Sequence, residues 1–338
     1  MKESICKLLL QYYPTISDDE DFYSMYVTNI ALNSFLSYTA IMLNIVTIHA
    51  IRKTTSLPKT LKALLLSLAV SDVGVGFLVQ PFYISLLVKW LQENYPACGL
   101  YQAFDITMGL FSTTSFYNVV VITIDRFLAI HLHLRYQELV THKRVVTVVI
   151  SIWLISAFLV LMALWVPPDI RTLLVFMGTV VGFLLTTVVY IRIYFAVRHH
   201  KNQIQALQVH NTAHAGEMAN SASLIKSSVA TFYVYLVSLV CYLPMFIWLA
   251  TLAIYDPSIA FKKYLLFSFT FVFLNSSLNP VIYCWKMRHI RHAVMNILRN
   301  VSRLRDRTSH WLITDLEILC RDTSRGRGTL LSLGRDEP

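Results

Sequence analysis

The stretch that decides the fold runs from Ser115 to His131 and reads SFYNVVVITIDRFLAIH. Its apolar run is long enough to lie within a membrane helix, yet it ends in an adjacent acid and base, Asp125 and Arg126. A charge in hydrocarbon costs several kcal/mol, so a charged pair at the end of such a helix calls for a reason. The segment that follows, 131–144, is rich in basic residues. This end of the helix is therefore predicted to meet the cytoplasm.

The composition of the chain is unlike that of a soluble domain. Of its 338 residues, 56% are apolar and only 14% are charged, which leaves too few charges to cover a soluble particle. The net charge of +10 does not indicate nucleic-acid binding, because the basic residues lie in short segments between apolar runs and in the tail. The five cysteines have no C-x-x-C spacing that would suggest zinc. No nucleophile, base or paired carboxylates are placed for catalysis, so an enzyme is not predicted.

Apolar runs long enough to cross a hydrocarbon core of roughly 30 Å recur along the chain. They predict an all-α membrane protein, a bundle of seven transmembrane helices covering 27–284. The individual runs are 27–50, 62–88, 99–131, 145–166, 172–197, 224–252 and 263–284. A basic, amphipathic eighth helix on the membrane surface is predicted at 285–299. An N-terminal segment, 1–26, and a disordered tail, 300–338, complete the organisation.

The distribution of basic residues predicts the orientation of the bundle. With the N-terminus outside, 23 of the 29 Lys and Arg residues lie on the cytoplasmic side and 6 lie outside. Without the tail the ratio is still 12 to 6. Cytoplasmic loops of membrane proteins carry the excess of basic residues. We therefore expect an extracellular N-terminus and a cytoplasmic C-terminus.

Asp72 lies in the middle of the second predicted span, where an ionisable group needs a polar partner or an ion. The available partners are polar side chains of the first, third and seventh spans: Asn44, Ser115, Asn275, Ser276 and Asn279. An acid surrounded by amide and hydroxyl oxygens suits a hard monovalent cation or a proton. A closed hydrogen-bond network without an ion is the alternative.

The polar and helix-breaking residues occur in the order typical of rhodopsin-like (class A) G-protein-coupled receptors. The matching positions are Asn44, Leu68-Ala69-x-x-Asp72, Asp125-Arg126-Phe127, Trp153, Tyr190, Pro244 and Asn279-Pro280-Val281-Ile282-Tyr283. The chain resembles that family over roughly 27–300. The resemblance implies a plasma-membrane receptor, embedded in lipid, that binds an extracellular ligand and activates heterotrimeric G proteins. A seven-helix transporter or channel is the alternative from another class, although no internal repeat supports it.

The resemblance also implies roles for individual residues. A sodium ion would be held by Asp72, Ser115, Asn275 and Asn279. The activation switch and G-protein contact would comprise Asp125, Arg126, Tyr190, Pro244, Pro280 and Tyr283. In this scheme Asp125 holds Arg126 in the inactive receptor and releases it on activation. Pro280 leaves backbone carbonyls unpaired and provides a hinge.

Three positions and one loop are the departures from the family pattern that bear on the predicted sites. Leu224 stands where an acid of the sixth span often restrains the arginine, which predicts raised basal signalling. Tyr242 replaces a usual tryptophan, and Gly182 stands where a proline is common. The second outer loop has no cysteine, which favours free thiols at Cys6 and Cys98 over a Cys6–Cys98 bridge.

The ligand is not assigned by these patterns. The short second outer loop resembles the melanocortin receptors and the stretch 134–141 resembles the adenosine receptors, but neither ligand signature transfers, so an amine, a peptide or another small molecule remains open. The candidate lining of an outward-facing cavity is Phe82, Asp105, Met108, Ser112, Tyr242, Phe246 and Phe269. Asp105 would meet a cationic ligand, since an unpaired carboxylate at that depth is costly. Alternatively it pairs with Lys89 or faces water, and the aromatic residues are ordinary bundle packing.

Overall fold

The computed structural model describes residues 13–14, 19–55, 57–94, 96–132, 135–162, 166, 168–207, 215–251 and 258–300. These residues are helical or lie in short turns, and none of them forms a strand. The helices are Asp19–Lys53, Lys59–Gly74, Gln80–Leu91, Cys98–Leu132, Tyr136–Leu139, His142–Leu161, Pro168–Leu207, Ala215–Thr251 and Ile259–Lys286. A further helix covers 288–300. The predicted all-α class is confirmed.

Seven helical stretches are long and apolar enough to cross a membrane. We number them spans one to seven in chain order: Phe22–Lys53, Lys59–Leu91, Cys98–Leu132, His142–Leu161, Leu173–Ala196, Ser227–Thr251 and Ile259–Lys286. They confirm the predicted seven-helix bundle. Most helices run past the apolar boundaries predicted from sequence, because backbone hydrogen bonding continues through polar ends. Span one, for example, finishes with Arg52 and Lys53 in its last turn, where basic side chains interact favourably with the helix dipole.

Span two is interrupted by a π-helical segment, Val75–Val79, which the apolar pattern did not predict. Pro81 lies two residues after its end and has no N–H for a regular helical bond, which accounts for irregular pairing here. Ser37 of span one donates a hydrogen bond of 2.7 Å to the Gly76 carbonyl. A side chain at Gly76 would lie 3.0 Å from the Ser37 carbonyl oxygen, so glycine permits this close approach.

Span three is the centre of the bundle and contacts spans two, four, five and six. Span seven packs against spans one, two and six. The outer surfaces of spans four and five carry exposed apolar side chains such as Leu154, Phe158 and Leu184. The polar residues of spans two, three and seven are thereby enclosed in the interior of a bundle with a lipid-compatible exterior.

The chain divides into two compact units, 1–291 and 292–338. The first contains the seven spans, and the second is described only for 292–300. The predicted tail from 301 onward lies outside the described residues, as do 1–12 and 15–18 of the predicted N-terminal segment.

Candidate functional site

Asp125 and Arg126 form a buried ion pair near the C-terminal end of span three. Both are almost fully buried, with 4% and 1% of their surface exposed. Arg126 Nε donates to Asp125 Oδ2 at 3.0 Å, and Nη2 donates to the same oxygen. Nη1 donates to Ser227 Oγ in span six at 3.4 Å. Breaking a buried pair of this kind is strongly unfavourable unless each partner finds a substitute, so the pair can hold one arrangement of the bundle.

Tyr136 completes the hydrogen bonding of this ion pair, a role that the sequence did not reveal. Its hydroxyl donates to Asp125 Oδ1 at 2.6 Å and lies 3.0 Å from Thr60 Oγ1 in span two. Burial, and then the negative charge of Asp125, raise the pKa of Tyr136 to about 12. The hydroxyl therefore stays protonated at physiological pH and donates. Its only signal in the sequence is its place in the stretch that resembles the adenosine receptors.

Tyr190 joins spans three and five at the same end of the bundle. Thr123 Oγ1 donates to the Tyr190 hydroxyl at 3.2 Å. The Tyr190 ring lies 5.1 Å from the Tyr235 ring of span six, and the Tyr235 hydroxyl is 2.7 Å from Thr187 Oγ1. The predicted switch tyrosine thus bonds to Thr123 in this structure and links three spans through packed rings.

The side chain of Leu224 lies outside the described residues, but spans six and seven are joined by another contact. Lys286 Nζ lies 4.0 Å from the ring centre of Tyr233 and 3.4 Å from that of Trp285. The two rings are 5.3 Å apart. A cation over an aromatic face contributes about 0.5–1 kcal/mol at an exposed site. This cation–π clamp is a restraint on span six other than the acid expected from the family pattern.

Asp72 is fully buried and is hydrogen-bonded by spans three and seven. Asn279 Nδ2 donates to its Oδ2 at 2.8 Å, and Ser115 Oγ donates to its Oδ1 at 3.3 Å. Asn275, the fourth residue of the predicted sodium set, accepts from Ser238 Oγ of span six at 3.0 Å through its amide oxygen. The Asn279 amide oxygen, next to the carboxylate, has no hydrogen-bond partner among the described residues. A carboxylate with hydroxyl and amide oxygens is a donor set that fits a hard cation.

Pro244 and Pro280 lie inside the helices of spans six and seven. Pro280 deprives the Ser276 carbonyl of its helical donor. Asn44 Nδ2 donates to that carbonyl at 2.9 Å, so span one satisfies the group that the proline leaves free. Tyr283, one turn later, is 1% exposed. The predicted hinge is therefore supported by a side chain of span one.

The predicted ligand-contact residues fall into two groups. Phe269 is packed in an aromatic cluster, 5.1 Å from the Phe104 ring and 5.6 Å from the Tyr83 ring. Phe82 packs against the same cluster, and Met108 borders it. This side of the bundle is filled by its own rings.

The second group lies between spans three, five and six. The Tyr242 hydroxyl donates to the Ser112 carbonyl at 3.1 Å, and Ser112 Oγ lies 3.3 Å from Met108 Sδ. The Phe246 ring is 5.2 Å from that of Phe183. Asp105, three residues before Met108, is half-buried. The Tyr242 side chain therefore bridges spans six and three.

Cys98 is disulfide-bonded, so the expectation of a free thiol at Cys98 is wrong. Cys241 and Cys284 are free, and the partner of Cys98 lies outside the described residues. The expectation rested on the absence of a cysteine from the second outer loop, with a Cys6–Cys98 bridge as its alternative.

Comparisons with known proteins show what part of the chain is similar to. The family pattern described as "7 transmembrane receptor (rhodopsin family)" matches residues 43–168. The chain is 31% identical to adenosine receptor A2b of Gallus gallus, over 39% of this chain and 38% of the relative. It is 34% identical to the alpha-2 adrenergic receptor of Labrus ossifagus, over 38% of this chain and 29% of the relative. Adenosine receptor A2a of Canis lupus familiaris is 25% identical over 78% of this chain and 70% of the relative.

The chain has seven apolar spans and is similar to rhodopsin-like, class A G-protein-coupled receptors over the matched residues. Within that class the chain is similar to the adenosine-receptor group. The relatives are named as receptors and not as enzymes, in agreement with the prediction, and the seven apolar spans fit a multi-pass membrane protein. Nothing in the comparisons supports a transporter. In the matches with the first two relatives the chain covers 38% and 29% of their length.

Proposed function

We propose that this chain binds a small extracellular ligand in the outer part of its helix bundle and activates heterotrimeric G proteins. The observation that carries the proposal is the buried Asp125–Arg126 pair at the cytoplasmic end of span three. It is joined to span six through Ser227 and to span two through Tyr136 and Thr60. A charged pair placed between mobile helices is suited to a switch, because each arrangement of the helices must satisfy both charges.

The orientation with the N-terminus outside is supported by the excess of basic residues on the opposite side. With this orientation, the ion pair, Tyr136 and the Lys286 clamp lie on the cytoplasmic side of the bundle. Signalling is a ligand-biased shift between two arrangements of the bundle. In one, Arg126 is held by Asp125; in the other, span six moves away and Arg126 is free to contact the G protein.

Asp72, Ser115 and Asn279 would hold a sodium ion between spans two, three and seven, with Asn275 nearby on span seven. The unpartnered amide oxygen of Asn279 beside the Asp72 carboxylate supports this proposal. The ion would supply positive charge that neutralises the buried carboxylate. It would stabilise the arrangement in which these three spans are close together.

The ligand site that the geometry favours lies between spans three, five and six. Its lining would consist of Met108, Ser112, Tyr242 and Phe246, with Asp105 about one helical turn from Met108. The names of the relatives specify small molecules, among them adenosine and octopamine. A small ligand that combines an aromatic or apolar body with a polar group fits these side chains.

The decisive experiment measures ligand-free guanine-nucleotide exchange in cells that express the intact chain, Arg126→Ala or Arg135→Ala at equal surface levels. Arg135 is a matched control because it is an exposed base near the same end of the bundle. We expect raised basal exchange that is lost in Arg126→Ala and kept in Arg135→Ala. Exchange unaffected by Arg126→Ala, or an ion current that depends on Asp72 without any exchange, would refute the receptor mechanism.

A further inference from the structure

A second buried polar cluster lies between spans one, two and seven, eight residues outward from Asp72 along span two. Its members are Asn29, Asn33, Gln80 and Thr270. The three amides are fully buried. Neither the family pattern nor the switch described above assigns a role to them. Because amides in the interior of a membrane bundle are costly unless they are hydrogen-bonded, each of their atoms needs a partner.

Backbone carbonyls fix the orientation of the side-chain amides of Asn33 and Gln80. Asn33 Nδ2 donates to the Asn29 carbonyl at 2.8 Å and to Thr270 Oγ1 at 2.9 Å. Gln80 Nε2 donates to the Asn33 carbonyl at 3.3 Å. Reversing either amide would place its oxygen against a carbonyl oxygen, and two acceptors repel each other. The side-chain oxygens of Asn33 and Gln80 are therefore the atoms turned away from these bonds.

These two oxygens, Asn33 Oδ1 and Gln80 Oε1, have no hydrogen-bond partner among the described residues. The nearby hydroxyl groups are committed elsewhere. Thr270 donates to Asn29 Oδ1 at 2.7 Å, and Tyr83 donates to the Leu266 carbonyl at 2.9 Å. Ser37 donates to the Gly76 carbonyl in the π-helical segment. Among the described residues, no hydrogen bond is donated to these two acceptors.

We propose that Asn33 Oδ1 and Gln80 Oε1 bind a single small neutral molecule with two hydrogen-bond donors, namely a water molecule that bridges spans one and two. The bond from Gln80 Nε2 to the backbone carbonyl of Asn33 shows that the Gln80 side chain lies against Asn33. The occupant is neutral because no carboxylate is among the hydrogen-bonded groups of the cluster. It is of water size because the surrounding amides are fully enclosed, and buried water commonly satisfies such groups.

The test is a double-mutant cycle on the thermal stability of the intact, detergent-solubilised chain, and it does not depend on G-protein coupling. The variants are Asn33→Leu, Gln80→Leu and both together. Ser85→Ala is the control, since this exposed serine on the same span bonds only to the Pro81 carbonyl. The direct contact between the two residues uses the backbone carbonyl of Asn33, which leucine retains. A coupling between the side chains therefore reports a shared bound molecule.

We expect each single change to lower Tm by about 1–4 °C, because the bound water loses an acceptor. The double variant should lose clearly less than the sum, and Ser85→Ala should change little. Additive losses, or a Tm that rises in Gln80→Leu because an unsatisfied oxygen has been removed, would overturn the proposal. If Gln80→Leu does not yield folded protein, Gln80→Met completes the cycle. Stabilisation by added acetamide in the intact chain but not in the Gln80 variant would show an organic donor in the site and overturn the assignment to water.

Discussion

Replacing Gly182 by alanine should destabilise the bundle, although the same change in an open helix position is favourable. A methyl group at Gly182 would lie 2.7 Å from two ring carbons of Phe116 in span three. Carbon atoms pack at about 3.5–4.0 Å, so the ring must withdraw by roughly 1 Å. Phe116 is buried between Phe183, at 4.9 Å, and Tyr242, at 6.1 Å. The ring has little space in which to move.

The magnitude follows from two opposing terms. Overpacking a well-filled core costs about 1–3 kcal/mol, whereas alanine is favoured over glycine in a helix by up to about 1 kcal/mol. The net effect is a destabilisation of about 1–2 kcal/mol. For a chain of this size, that corresponds to a fall in Tm of about 1–3 °C.

The assay is thermal unfolding of the purified, detergent-solubilised chain. Gly178→Ala is the control on the same span, where the nearest atom is the Tyr117 hydroxyl at 3.3 Å, the far end of a side chain. We expect no loss of stability for Gly178→Ala, a clear loss for Gly182→Ala, and recovery when Phe116→Leu is added to Gly182→Ala. If Gly182→Ala is as stable as the intact chain, Phe116 does not pack against the glycine and the reasoning is refuted.

Three further predictions concern the switch and the buried acid. Lys286→Met should raise basal nucleotide exchange about two- to fivefold, because it removes the cation–π clamp. The control Arg288→Met removes an exposed charge two residues later and should leave basal exchange unchanged. Equal effects of the two substitutions would contradict the clamp. Tyr136→Phe should lower Tm of the purified chain, because Asp125 loses a charge-assisted bond; an unchanged Tm would show that the bond contributes nothing. Basal exchange should be lower in sodium chloride than in choline chloride, and Asp72→Asn should remove that difference; a difference that survives the substitution would place the sodium effect elsewhere.

The sequence by itself determined the number of spans, the family pattern and the expected orientation. These depend on local quantities: the length of an apolar run, the placement of basic residues, and motifs such as Asp125-Arg126 and Asn279-Pro280. A run of about 20 apolar residues must be helical in lipid, because no water is available to satisfy the backbone. The departures at Gly182 and Tyr242 could also be read directly. The structural consequence of these departures could not be predicted from the sequence, because the need for glycine at position 182 is explained only by the ring of Phe116.

Only the tertiary structure decided which polar groups meet. The bond between Asn33 and Thr270 joins residues 237 positions apart, and Tyr136 reaches Asp125 only because a short helix follows span three. The π-helical turn before Gln80 and the packing of Phe269 into an aromatic cluster likewise leave no periodic trace in the chain. Apolar character is a property of a single residue, and the free energy of that residue in lipid depends mainly on its depth in the membrane. A hydrogen bond instead requires two groups to approach within about 3 Å, and that distance is set by how the helices pack.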